Sequence, residues 1–227
     1  MKIFYINLDR RIDRKESCEE QFKTQNLDFE RYPAIDGKNY TFNDKELELF
    51  KNSDFKKHLN NLQCMGNFLS HWNIWYKIVE KNLDYAIIFE DDIKLIPKFK
   101  KEIQNVISNL PQDAEVVFIT QQKDGNSQKA FNIFDQQKES NLVIFFKKRV
   151  NNNIGILENH INPCTLGYII TRKGAMNLIK HTKKQGVLRA TDCHINDYLI
   201  NKNIFYASIL VLGSSNSKFE TDIQINN

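Results

Sequence analysis

The run Asp84-Tyr85-Ala86-Ile87-Ile88-Phe89 constrains the fold of this chain more than any other stretch. Its apolar residues do not alternate with polar ones. A strand of that kind is covered on both faces, as in a parallel sheet. It leads directly into Glu90-Asp91-Asp92. In open α/β sheets, ligands bind at the carboxyl ends of the strands, so three consecutive carboxylates fall where chemistry is expected. Two unit charges about 5 Å apart repel by roughly 3 kcal/mol at an effective dielectric of about 20. A hard divalent cation relieves that repulsion. A carboxylate pair separated by one residue can hold the cation and leave positions for water and a diphosphate. The other reading is a solvated strand-to-loop turn in which Asp92 serves as a cap.

The remaining chain alternates strand and helix patterns. Residues 2–8 are β-branched and aromatic and read as a buried first strand, followed by a helix over 13–25. A short strand over 29–35 ends at the turn dipeptide Asp36-Gly37, and one helix is expected around 44–50. Phe68, Trp72, Trp75 and Val79 fall on one helical face, so 66–81 reads as an amphipathic helix. Pro97 opens a helix to about Asn109, and 115–120 is a strand. The Gln-rich stretch 121–141 reads as a mobile loop able to close over a ligand, and 142–146 as a strand. A non-alternating insert is expected over 142–165. A strand at 165–171 and a helix at 172–180 follow. Thr191-Asp192 is expected to cap a helix through Lys202. A strand over 204–212 precedes a polar tail from about 213. This order predicts one α/β domain over residues 1–227, with a central, mostly parallel sheet flanked by helices.

Composition narrows the function classes. The net charge is only +4, and 25 of the 32 basic residues are Lys rather than Arg, the residue favoured for phosphate and base recognition. Nucleic acid is therefore not the expected partner, and Lys147-Lys148-Arg149 and Lys183-Lys184 read as solvated surface. No apolar run is long enough to span a membrane, and the N-terminus lacks a signal-peptide pattern. The four cysteines, at 18, 64, 164 and 193, form no C-x-x-C. Reduced thiols in a cytoplasmic protein are the expectation. No G-x-S-x-G, Gly-rich P-loop or G-x-G-x-x-G is present, which argues against hydrolase, Walker and dinucleotide chemistry.

Other residues carry chemistry only in combination. Asn7-Leu8-Asp9-Arg10-Arg11, with Arg14 beyond, lies where the first strand gives way to a helix. Guanidinium groups and helix N-terminal amides together suit a diphosphate; Arg–Asp pairing on a surface helix is the alternative. His71, next to Ser70 on the tryptophan helix, reads either as a hydrogen-bonded structural histidine or as a donor contact. Asp192 and Asp197 read as helix cap or surface residues.

Taken in order, Ile6-Asn7-Leu8-Asp9-Arg10 with Arg14, Ala34-Ile35-Asp36-Gly37, Gly66-Asn67-Phe68-Leu69-Ser70-His71, Ile88-Phe89-Glu90-Asp91-Asp92 and Gly167-Tyr168-Ile169-Ile170-Thr171-Arg172-Lys173-Gly174-Ala175 resemble glycosyltransferase family twenty-five. That group includes bacterial lipooligosaccharide galactosyltransferases and collagen galactosyltransferase domains. Thr221-Asp222-Ile223 is similar to the family's C-terminal Ser-Asp-Ile. The resemblance implies a GT-A type fold. It also implies a nucleotide sugar donor, usually UDP-galactose, a divalent metal, usually Mn²⁺, and inversion at the anomeric carbon. The acceptor would be a glycan or a hydroxylated protein. By position, Asn7, Leu8, Arg10 and Arg14 would line the nucleotide and diphosphate site, with Ala34 and Asp36 near the uridine. Ser70, His71 and Asp91 would belong to the same nucleotide-sugar site. Glu90 and Asp92 would be the metal ligands. Asp192, then Asp197, would be the base. The family often carries Glu where this chain has Asn67. That departure keeps a second reading open, a catalytically inactive module of the same fold that binds glycan or nucleotide sugar.

Overall fold

Strand β1 (Ile3–Asn7) is buried along its whole length and lies between β2 (Phe29–Pro33) and β3 (Tyr85–Glu90), parallel to both. The structure, a computed structural model, describes residues 1–57, 61–121, 146–158, 164–202 and 204–219. The further strands are β4 (Ile93–Leu95), β5 (Val116–Phe118), β6 (Thr120–Gln121), β7 (Phe146–Arg149), β8 (Ile154–Leu157), β9 (Gly167–Thr171), β10 (Tyr206–Ser208) and β11 (Gly213–Ser215). Among the described residues the large sheet runs β2-β1-β3-β9-β5-β10-β8-β7. Six of its eight strands point one way; β9 and β8 run against them. A small sheet, β4-β11-β6, stands beside it.

Successive residues of the central strands enter two different cores. Phe4, Ile6, Ala86, Ile88, Val116 and Phe118 face one layer; Ile3, Tyr5, Ile87, Phe89 and Val117 face the other. This two-sided burial is why the strand before the carboxylates is apolar without alternation. Helix α1 (Ile12–Thr24) covers the second core with Cys18 and Phe22. Helix α3 (Asn61–Glu80) fills the first with Phe68, Leu69, Trp72, Trp75 and Ile78. Each such side chain contributes about 1.5–3 kcal/mol by leaving water. Helix α2 (Asp44–Leu49) carries a capping box from Asn43 and Glu46, and α4 (Phe99–Ser108) packs Ile103 and Val106 inward.

Helix α5 (Arg172–Gln185) starts at Thr171, whose hydroxyl accepts from the Gly174 N–H, and ends at Gly186 with φ of 75°, a left-handed conformation that glycine adopts freely. Helix α6 (Thr191–Ile200) begins differently from expectation. Its N-cap is Ala190, with no side-chain cap bond, so Thr191 and Asp192 lie inside the first turn.

Helix α3 starts at Asn61, before the expected 66, and α5 runs to Gln185, past the expected 180; strand boundaries differ as well. The strand expected over 115–120 divides between the two sheets, and that over 204–212 shortens to β10. Gly213–Ser215, read as the start of a polar tail, is β11, recruited by backbone hydrogen bonds to β4 and β6 that side-chain polarity does not report. The insert is an antiparallel pair, β7 with β8, at the sheet edge. The proposed closing loop lies outside the described residues from 122 onward, as do 142–145 and Thr221-Asp222-Ile223. All four cysteines are free thiols. Among the described residues no helix is long and apolar enough to cross a membrane.

Candidate active site

The parallel strands β1, β2 and β3 end on one edge of the sheet, and the loops that leave them wall a cleft enclosing about 650 Å³, part of it open solvent. Leu8, Arg10 and Arg14 come from the segment after β1. Ala34 and Asp36 come from the segment after β2, and Ser70 and Asn67 from α3. Glu90, Asp91 and Asp92 close the wall. Positions scattered over more than 80 residues of sequence therefore share one surface.

The three carboxylates divide their roles. Asp91 turns inward and is buried. Its Oδ1 accepts from Arg14 Nη1 at 2.7 Å, and its Oδ2 accepts from Asn7 Nδ2 at 2.7 Å. Burial pushes its pKa up, with the guanidinium and the amide pulling against it. Asn7 is itself 1% exposed and also accepts from Arg31 Nε at 2.8 Å, so it braces Asp91 from behind and does not line the cleft.

Glu90 presents the opposite arrangement. Its Oε1 accepts from the Thr165 hydroxyl at 2.8 Å and lies 3.4 Å from His71 Nε2 and 3.5 Å from Asn67 Nδ2. Burial works against its ionisation, but His71, Thr165 and Asn67 outweigh it, and its pKa lies below the usual value. Its Oε2 has no hydrogen-bond partner among the described residues.

Asp92 is the unsatisfied member. Among the described residues its Oδ1 is buried with no hydrogen-bond partner. Burial first, then the charge of Glu90, raises its pKa to about 7. A divalent cation fits such a pair, because it supplies the charge both carboxylates lack and the ligand that Asp92 Oδ1 lacks. Among the described residues no group of three or more His, Cys, Asp or Glu is placed to hold a metal by itself. A cation here would complete its shell with water and phosphate oxygens, as Mg²⁺-like ions ordinarily do.

The loop after β2 is clamped to α3. The Ser70 hydroxyl donates to the Gly66 carbonyl at 2.7 Å and accepts from the Ile35 N–H at 2.9 Å. A Cβ on Gly66 would lie 2.4 Å from the Ile35 carbonyl oxygen, so only glycine allows the loop this close. Arg10 pairs with Asp36 across the cleft mouth. The Phe219 ring lies 5.6 Å from the Arg14 guanidinium, and the Asn216 N–H donates to the Asp92 carbonyl at 2.6 Å. The segment after β11 thus borders the carboxylate turn.

A family model described as glycosyltransferase family 25 (LPS biosynthesis protein) matches residues 1–195. The chain belongs to glycosyltransferase family 25. Human procollagen galactosyltransferase 2 is 27% identical over 187 residues, which cover 78% of this chain and 27% of that protein. A Drosophila melanogaster glycosyltransferase 25 family member is 28% identical over 192 residues, with coverage of 78% and 27%. The chain thus spans about a quarter of the length of these curated relatives. Among solved structures, mouse xyloside xylosyltransferase 1 aligns with TM-score 0.42 and 9% identity, over 90% of this chain and 70% of that one. A glycosyltransferase involved in glycosylation of the major capsid of PBCV-1 aligns with TM-score 0.37 and 8% identity, over 91% of each.

In this family-25 chain the two late carboxylates separate. Asp192 is partly buried beside the cleft. Burial raises its pKa, as does the charge of Glu90, and its Oδ1 accepts from the Cys193 N–H at 2.7 Å. Its neighbour Thr191 donates to Asn67 Oδ1 at 2.6 Å, which ties the start of α6 to the cleft wall. Asp197 instead pairs with Arg189 on an exposed surface and does not reach the cleft. His71 is fully buried and does not line the cleft. Thr165, Tyr168 and Thr191 were not among the expected site residues; they reach the site through tertiary contacts that sequence spacing does not report.

Proposed function

We propose that this chain transfers a hexose, galactose first among the candidates, from a UDP-sugar to a hydroxyl of a glycan or hydroxylated protein, with inversion and with a divalent cation, Mn²⁺ first. The observation that carries this reading is that Glu90 and Asp92 line one cleft with Arg10 and Arg14, and that among the described residues Asp92 Oδ1 is buried with no hydrogen-bond partner. Family membership and the relatives named procollagen galactosyltransferase support the sugar and the acceptor class.

Glu90 and Asp92 would hold the cation, which when bound offsets the negative charge gathering on the diphosphate as the glycosidic bond breaks. Arg14, fixed by Asp91, and Arg10, held by Asp36, present guanidinium groups to the same charge. The loop clamped by Gly66 and Ser70 would form the floor for the base and ribose. Inversion requires a base on the side of the acceptor hydroxyl. Asp192 is assigned that role because its pKa is raised towards the working range of a base. Its carboxylate takes the hydroxyl proton as the acceptor oxygen forms the new bond to the anomeric carbon.

The test is a donor-hydrolysis and transfer screen over UDP- and GDP-sugars, with Mn²⁺ and with EDTA. One UDP-sugar consumed only with metal is expected. Binding of UDP without turnover of any sugar would favour the inactive-module reading. Turnover equal in EDTA would remove the metal from the mechanism.

A further inference from the structure

His71 and Tyr168 are both fully buried behind the cleft wall. They belong to a chain of side chains in which one set of hydrogen-bond directions leaves no buried donor unpaired. The Trp75 indole N–H donates to the Tyr168 hydroxyl oxygen at 3.0 Å. An indole nitrogen cannot accept, so the Tyr168 proton must go elsewhere. Nδ1 of His71, at 2.9 Å, is the only other group bonded to that hydroxyl among the described residues. Nδ1 therefore accepts, and the imidazole proton resides on Nε2. That nitrogen lies 3.4 Å from Oε1 of Glu90. The His71 and Tyr168 rings are stacked at 24° with centroids 5.7 Å apart, an arrangement that resists a flip of the imidazole.

We propose that Tyr168 is a positioning residue for Glu90: by holding His71 as the Nε2–H tautomer it makes the imidazole a fixed donor to Oε1 and leaves Oε2 to the cation and diphosphate of the donor substrate. The inference rests on the transferase reading and adds to it a residue that never touches the ligand. Thr165, ahead of β9, and Asn67, one turn before His71 on α3, approach the same oxygen, so Oε1 faces three donors. The opposite tautomer would set an imidazole lone pair against a carboxylate oxygen, two acceptors facing each other, and the carboxylate would rotate. Outer partners that orient a ligating group commonly govern metal affinity by 10–100-fold, roughly.

Two measurements on the intact chain test this. Proton–nitrogen correlation spectra of the wild type, with His71 assigned by its loss in His71→Gln, are expected to show a proton on Nε2 and none on Nδ1. Calorimetry then compares UDP binding with Mn²⁺ and with EDTA. Tyr168→Phe keeps the ring and removes the hydroxyl. It is expected to weaken Mn²⁺-supported binding about 10-fold and to leave binding in EDTA unchanged. The amide nitrogen of His71→Gln reaches the Nε2 position and retains most of the affinity. That of His71→Asn falls near Nδ1 and loses as much as Tyr168→Phe. A merely structural role would move the two His71 variants together, in step with their melting temperatures. The proposal is overturned by a wild-type His71 protonated on Nδ1, or by equal Mn²⁺-supported affinity in the Gln and Asn variants. Both results remain decisive should Tyr168→Phe fail to fold. A wild-type chain that binds no UDP with Mn²⁺ overturns the transferase reading and the ligand half of this one. The spectrum separates the two failures, because it reads the hydrogen-bond chain with no ligand present.

Discussion

Acid should loosen the helix that carries Asp192, and His194 sets how much. His194 is 5% exposed on α6, and its Nε2 lies 2.9 Å from the Thr182 hydroxyl on α5. That hydroxyl donates to the Leu178 carbonyl, so it accepts from the imidazole, and His194 is a neutral donor. Burial first, and then the nearby His181, depress its pKa to about 4; Asp197 pulls weakly the other way. The unfolded chain takes up the proton near the ordinary value of 6.5. The unfolded state therefore binds more protons between those values, and stability is full above about pH 6.5 and lost as pH falls towards 4. At 1.36 kcal/mol per pK unit, the loss is about 2 kcal/mol at pH 5 and about 3 kcal/mol once both states are protonated. For a domain of this size, 2 kcal/mol corresponds to roughly 4–8 °C in melting temperature. The assay is urea unfolding at pH 7.5 and pH 5.0 for the wild type and for His194→Gln, which keeps an amide donor and cannot titrate. Carboxylates contribute equally to both proteins, so the variant should lose about 2 kcal/mol less between the two conditions. Equal losses, within about 0.5 kcal/mol, would refute the reasoning.

Three further outcomes follow from the cleft. Asp92→Ala should abolish the gain in UDP affinity that Mn²⁺ provides and leave the melting temperature within a few degrees; equal UDP binding with Mn²⁺ and EDTA in the wild type would count against the metal ligands. Gly66→Ala adds a Cβ 2.4 Å from the Ile35 oxygen, an overpacking cost of about 1–3 kcal/mol that alanine's helix preference of about 1 kcal/mol only partly offsets, so donor affinity and melting temperature should fall together. An unchanged UDP affinity in that variant would show that the loop after β2 is not part of the donor site. Arg14→Met removes the guanidinium from a buried Asp91 and should cost about 3–5 kcal/mol in urea unfolding, a loss below about 1 kcal/mol being inconsistent with the ion pair as described.

The central strands and the long helices were legible in the sequence because their signals are local. Ile87, Ile88 and Phe89 announce a strand covered twice, and Phe68, Trp72 and Trp75 announce a helix face, whatever the rest of the chain does. The carboxylate triplet at a strand end and the arginines after β1 were legible for the same reason, whereas the close approach that requires glycine at 66 was not. Tertiary structure decided which oxygen of which carboxylate was left for chemistry. Glu90, Asp91 and Asp92 are equivalent as sequence, yet Asn7 and Arg14 consume Asp91, three donors occupy one oxygen of Glu90, and Asp92 keeps a buried oxygen bare. Asp192 and Asp197 stand on one helix, and only the packing of α6 against Asn67 brings the first beside the cleft while Arg189 holds the second at the surface. Gly213–Ser215 became a strand because two edges needed backbone partners, a demand no side chain records. Local patterns report what a residue's neighbours in sequence require. Hydrogen-bond partners and desolvation are set by neighbours in space, and those exist only once the chain has folded.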